Sequence, residues 1–152
     1  MHIRKGRSED IAALVAFNQA MAEETEGLLL DPEILTRGVT TMINEPQRGF
    51  YLVAEQQGQI VASLMVTFEW SDWRAANYYW IQSVYVTPAC RRQGIYRQLY
   101  QMVKQIAAAD GGAASFRLYV EHDNQRAQQT YNALGMAQSH YLMFEEIVKP
   151  GL

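Results

Sequence analysis

The chain of 152 residues contains a single cysteine, Cys90, so no intrachain disulfide framework can hold it, and a reducing, cytoplasmic setting suits it. Its three histidines, His2, His122 and His140, lack the spacing of metal ligands, so no metal centre is expected. No apolar run is long enough to span a membrane. The opening Met1-His2-Ile3-Arg4-Lys5-Gly6-Arg7 leads into charged residues and carries no signal-peptide pattern. Thirteen basic against sixteen acidic residues leave a net charge of −3, which does not favour nucleic acid. There is no Gly-Lys-Ser or Gly-Lys-Thr phosphate loop and no Gly-x-Gly-x-x-Gly fingerprint. Without repeats, low-complexity tracts or a long linker, residues 1–152 read as one domain with a core of ordinary size.

What is present is concentrated in one turn. The apolar run Trp80-Ile81-Gln82-Ser83-Val84-Tyr85-Val86 is closed by Thr87-Pro88 and followed by Arg91-Arg92-Gln93-Gly94-Ile95-Tyr96-Arg97. From there Ile95, Leu99, Met102, Val103 and Ile106 recur with helical spacing. A strand, a basic glycine turn and a helix N-terminus make a place for an anion. The first N–H groups of a helix have no internal partner, and the helix dipole favours negative charge there. The arginines add charge-assisted hydrogen bonds, although either could be an ordinary solvated surface charge. The reading is a phosphate-bearing ligand at about residues 91–97.

A second stretch has the same strand-to-helix character. Leu118-Tyr119-Val120-Glu121 reads as a strand and residues 124–134 as a helix, with Asn124 at its N-cap and Gly135 at its C-cap. Ala127, Tyr131 and Leu134 share one face of it.

The remaining pattern gives a short strand at His2–Lys5, a helix from Ser8 to about Glu24, and a second helix opened by Asp31-Pro32. Strands are expected at 50–55, 59–69, 78–87, 115–121 and 138–147, the first two joined by Gln56-Gln57-Gly58. The order β-α-α-β-β-β-α-β-α-β implies an α/β (α+β) fold with a mixed, mostly antiparallel central sheet flanked by helices.

The two motifs together resemble those of the GCN5-related N-acetyltransferase family. Arg91 and Gly94 match Gln/Arg-x-x-Gly-x-Gly/Ala, while Tyr96 stands where the family has glycine or alanine. Asn124, Ala127, Tyr131, Gly135 and Met136 match Asn-x-x-Ala-x-x-x-Tyr-x-x-x-Gly-Met/Phe. The resemblance covers about residues 80–136 and implies the acyl-CoA N-acyltransferase fold, with acetyl-CoA as acyl donor. It places the pyrophosphate on Arg91, Arg92, Gln93, Gly94, Ile95, Tyr96 and Arg97, and the pantetheine arm along Val84, Tyr85 and Val86, with Asn124 also touching the cofactor. The Tyr96 ring must then point away from the pyrophosphate or lie along the cofactor. Tyr131 matches the proton donor to the leaving thiolate; its plainer reading is a core tyrosine anchoring a helix.

The activity so implied is direct transfer of an acetyl group to a primary amine of a small molecule or protein. The alternative is a non-catalytic acyl-CoA-binding or interaction module. A base is less evident. Glu69 and Glu24 are the catalytic candidates, and Glu26, Trp70, Asp72, Trp73 and Gln82 the candidate acceptor-binding residues, suggesting an acidic, aromatic-walled pocket for an ammonium group. For any one of the acids an ordinary surface role is the simpler reading. Aromatic content and the expected C-terminal strand are compatible with a homodimer.

Overall fold

The computed structural model describes residues 1–148; residues 149–152 of the expected domain lie outside the described residues. By contact the chain divides into two units, Met1–Tyr119 and Val120–Leu152.

The first unit is built on five strands in sequential order: β1 (His2–Lys5), β2 (Gly49–Gln56), β3 (Gln59–Ser71), β4 (Ala76–Val86) and β5 (Ser115–Leu118). β1 to β4 are antiparallel neighbours, and β5 lies parallel to β4. A parallel pair needs a crossover, supplied by helix α3 (Ile95–Ala109). The sheet is thus mixed and mostly antiparallel, as the element order implies. The β2–β3 hairpin closes at Gln57 and Gly58, both left-handed (φ 50° and 77°), which matches the right-handed twist of its strands.

Helices α1 (Ile11–Glu26) and α2 (Pro32–Asn44) pack on one another. The Asp31 carboxylate caps α2 by accepting from the amides of Glu33 and Ile34, and proline follows at the first turn, where its missing N–H costs nothing. Leu14, Val39 and Met42 meet Tyr51 and Val53 of β2 in one core cluster. Because strand side chains alternate, Leu52 and Ala54 face the other way, toward α3, whose Leu99 and Val103 are fully buried. The sheet is therefore covered on both faces.

The N-terminal end is locked by charge. Arg4 donates to both carboxylate oxygens of Asp10 (2.7 and 3.0 Å) and to Glu55 (2.9 Å). Asp10 also accepts the Arg7 amide at 2.9 Å. These bonds hold the Asp10 carboxyl below its ordinary value, the hydrogen bond from Arg4 being the largest cause. The sequence reading put the helix start at Ser8; instead Ser8–Asp10 form a single 3-10 turn and α1 begins at Ile11.

In the second unit, α4 (Gln125–Ala133) is capped by Asn124, whose side-chain oxygen accepts the Ala127 amide at 3.1 Å. Gly135 follows in the left-handed conformation (φ 95°). The strand expected over 138–147 does not form: residues 141–148 have no regular structure. Leu142 and Phe144 are 84% and 90% exposed. The apolar run Tyr141-Leu142-Met143-Phe144 gives strand propensity, but a strand exists only against a partner strand.

Candidate active site

Three features of the first unit converge at the end of β4. The first is an opening in the sheet. The β4–β5 ladder runs from Tyr78↔Ser115 to Ile81↔Leu118 and stops, while β4 continues to Val86. Among the described residues no strand lies beside Val84, Tyr85 and Val86 on that edge, so an extended ligand can lie along it.

The second feature is a β-bulge. Met65 pairs with Gln82 and Ser63 with Tyr85, so Ser83 and Val84 together oppose Leu64. Ser83 takes a left-handed φ of 53° to allow this. The extra residue keeps Gln82 and Tyr85 on one face of the sheet, that of α1, and bends the strand where the ladder ends. Tyr85 then packs its ring on Phe17 of α1, centroids 5.0 Å apart.

The third feature is the turn into α3. Arg91 is extended, Arg92 is left-handed (φ 63°) and Gly94 is left-handed (φ 75°) at the N-cap. Glycine supplies no capping side chain, and a Cβ built on it would meet nothing within 4 Å. The helix N-terminus therefore faces open space, with the exposed side chains of Arg92 and Arg97 on either side. Among the described residues neither arginine makes an ion pair. Ile95 is buried and anchors the first turn, while Gln93 donates back to the Ala89 carbonyl at 3.3 Å. The Tyr96 ring is half-buried and lies parallel to that of Tyr100 one turn on (interplanar angle 5°), along the helix. A pyrophosphate fits here: amides at a helix start, a side-chain-free cap, free guanidinium groups and an open strand edge leading to them.

Arg91 is differently engaged. Its Nε donates to the Val86 carbonyl at 2.9 Å and its Nη2 to Glu24 at 2.8 Å. Its guanidinium stands 5.5 Å from the centre of the Tyr85 ring, and the Tyr85 hydroxyl reaches the other Glu24 oxygen at 3.4 Å. Glu24 and Glu26 lie in the last turn of α1, and Glu26 is exposed.

Glu69 lies elsewhere. It pairs with Tyr78 across β3 and β4, accepts the Trp80 indole N–H at 2.8 Å and sits 3.7 Å from Arg117. Arg117 stacks 3.6 Å over the Tyr78 ring, and Trp80 stacks on Tyr119. From Tyr78 to Tyr85 the strand runs roughly 20 Å, so Glu24 and Glu69 cannot attend one acceptor nitrogen. Glu24 is at the open end of β4 and Glu69 at the end still paired with β5. Trp70 is 64% and Trp73 94% exposed, with Asp72 exposed beside them, so these side chains stand in solvent.

In the second unit Tyr131 is half-buried, and burial pushes its phenol above the ordinary value, which keeps it protonated near neutral pH. Among the described residues no group of histidine, cysteine or acidic side chains could hold a metal ion. Sequence reasoning did not find the Ser83 bulge or the Arg91–Glu24 pair; the partners of that pair lie 67 positions apart.

A mixed sheet that opens beside a phosphate-type turn is the arrangement of the acyl-CoA N-acyltransferase fold. Residues 14–136 match the model of the acetyltransferase (GNAT) family, and the chain belongs to that family. It is 41% identical to a possible acetyltransferase from Clostridium difficile 630, with a TM-score of 0.92 over 98% of both chains. A predicted acetyltransferase with acetyl-CoA from Clostridium acetobutylicum shares the fold at 18% identity, with a TM-score of 0.77 over 95% of each chain. The thialysine N-epsilon-acetyltransferase of Bos taurus is 37% identical over 82 residues, 53% of this chain and 47% of that protein. The chain thus matches about half the length of the curated relatives.

Proposed function

We propose that the protein transfers the acetyl group of acetyl-CoA directly to a primary amine, acting as a single acetyltransferase domain. The observation that carries this is the conjunction at the end of β4: an open strand edge, a bulge at Ser83, and an uncapped helix N-terminus flanked by Arg92 and Arg97. When bound, acetyl-CoA supplies an activated thioester; the chain must position it, admit a neutral amine and return a proton to the thiolate. Backbone groups of Val84 and Tyr85 orient the pantetheine arm, the amides at 95–97 hold the pyrophosphate, and Asn124 contributes to the cofactor. Tyr131, kept protonated by burial, donates the proton. Glu24, at the open end of β4, draws in the ammonium group, which gives up a proton to water before it attacks; Gln82, on the same sheet face, orients the amine or that water.

The substrate class we favour is a lysine-like ω-amine, supported by the partial match to thialysine N-epsilon-acetyltransferases. Glu26, in the same last turn of α1 as Glu24, then contributes to acceptor selection. A protein lysine offers the same group and is the second acceptor to test. The test is thiol release from acetyl-CoA with thialysine, free lysine and a lysine peptide. Saturable release with thialysine supports the reading. Saturable acetyl-CoA binding without release from any amine would favour a non-catalytic coenzyme module.

We also propose a homodimer, since Tyr141, Leu142, Phe144 and Ile147 expose more apolar surface than an isolated segment keeps in water. Sedimentation equilibrium should give twice the chain mass; the mass of a single chain would refute this.

A further inference from the structure

The first residue of the phosphate motif has two of its donors committed to protein acceptors. We infer that Arg91 is a positioning residue for Glu24, and that the charge felt by the cofactor's phosphates comes from Arg92 and Arg97. This rests on the proposed acetyl-CoA-dependent activity.

The geometry is two-pronged. The Arg91 Nε is taken by the Val86 carbonyl (2.9 Å) and its Nη2 by Glu24 (2.8 Å), so the planar guanidinium bridges the end of β4 and the end of α1. Only a fork with fixed angles can hold both acceptors at once. Its face rests over Tyr85, whose hydroxyl reaches the second oxygen of the same carboxylate (3.4 Å). Glu24 is thus held on both oxygens, and the pair as a whole is neutral. A neutral pair adds little field for an anion, whereas Arg92 and Arg97 are exposed, unpaired among the described residues, and flank the helix start. Arg91 commits two of its five donors to the Val86 carbonyl and to Glu24, which fixes where that carboxylate stands, and it stands where the sheet opens. The consequence is a division of labour within one motif, with Arg91 serving the acceptor side and Arg92 and Arg97 the cofactor side.

The two halves separate in binding and kinetics. Arg91→Met should leave the acetyl-CoA Kd within about threefold while raising the KM for thialysine about tenfold or more. Glu24→Gln should raise the thialysine KM by a similar factor, and the double variant should be no worse than either single one, because both changes break one interaction. Arg91→Lys keeps the charge and loses the fork, so it should not rescue. Arg92→Met or Arg97→Met should instead weaken acetyl-CoA about tenfold with the thialysine KM unchanged. The pair is 43% exposed on each side, so these variants should fold, which thermal melting checks. If Arg91→Met weakens acetyl-CoA as much as Arg92→Met, or Arg91→Lys restores full activity, Arg91 is a phosphate ligand and the inference is overturned. If the native protein binds no acetyl-CoA at all, the underlying reading fails, and this inference with it.

Discussion

Two glycines have positive φ for different reasons, and substituting each separates fold from function. Gly49 (φ 144°) is structural: a Cβ there would collide with the Val66 carbonyl on the neighbouring strand. Gly94 (φ 75°) has open space around it. Gly94→Ala therefore costs only the left-handed conformation of a residue with a side chain, about 1–2 kcal/mol. Gly94→Glu adds the same backbone cost and a carboxylate where the pyrophosphate is proposed to lie. At a separation of about 5 Å, one unit charge repels another by about 0.8 kcal/mol at water-like screening and about 3 kcal/mol at the screening typical near a protein surface. The Glu variant should therefore bind acetyl-CoA roughly four- to two-hundred-fold more weakly than the Ala variant, while both melt at nearly the same temperature. The comparison needs thermal melts and calorimetric titration with acetyl-CoA. Equal affinities for the two variants would remove the pyrophosphate from the start of α3. Gly49→Ala should fail earlier, as loss of soluble folded protein, because backbone atoms cannot yield.

Other expectations follow from single interactions. Asp10→Asn removes one of the two carboxylates that hold the half-buried Arg4, Glu55 being the other, and should cost about 1.5–3 kcal/mol of stability at neutral pH, read by urea denaturation. Because the folded-state value of Asp10 lies below its unfolded one, its stabilisation is complete above about pH 4 and drains away as pH falls further, so the native protein should lose stability there more steeply than Asp10→Asn. An identical acid profile in the two proteins would contradict this. Tyr131→Phe removes a proton donor without changing shape; kcat should fall about a hundredfold with acetyl-CoA affinity held within about twofold. Undiminished kcat would return Tyr131 to a packing role.

The readable parts of the sequence were those where chemistry is local. Asp31-Pro32 and Asn124 cap the helices they precede because capping needs only the next three residues. The turn at 91–97 was legible for the same reason: glycine at the cap, arginines beside it and an apolar stripe after it are neighbours in the chain. What escaped depends on pairing. The Ser83 bulge is a register event between two strands, and alternation read along β4 alone cannot reveal an extra residue. The Arg91–Glu24 bridge joins an end of α1 to the loop before α3, and only the folded sheet brings them together. Glu69 at the end of a strand and Glu24 at the break after the first helix both read as candidate bases, yet the Glu69–Tyr78 pairing and the Tyr85–Glu24 contact set them at opposite ends of β4. Residues 138–147 contain the apolar run Tyr141-Leu142-Met143-Phe144, which suits a strand, but propensity does not supply a partner.

The central claim is acetyl transfer to an amine, and it is tested most directly by incubating the protein with acetyl-CoA and thialysine and weighing the acceptor by mass spectrometry. One acetyl group should appear on the side-chain nitrogen for each thiol released, and about a hundredth as much when Tyr131→Phe replaces the native protein over the same few minutes. Thiol release without acetylated acceptor, or an unmodified acceptor at saturating acetyl-CoA, would contradict the account.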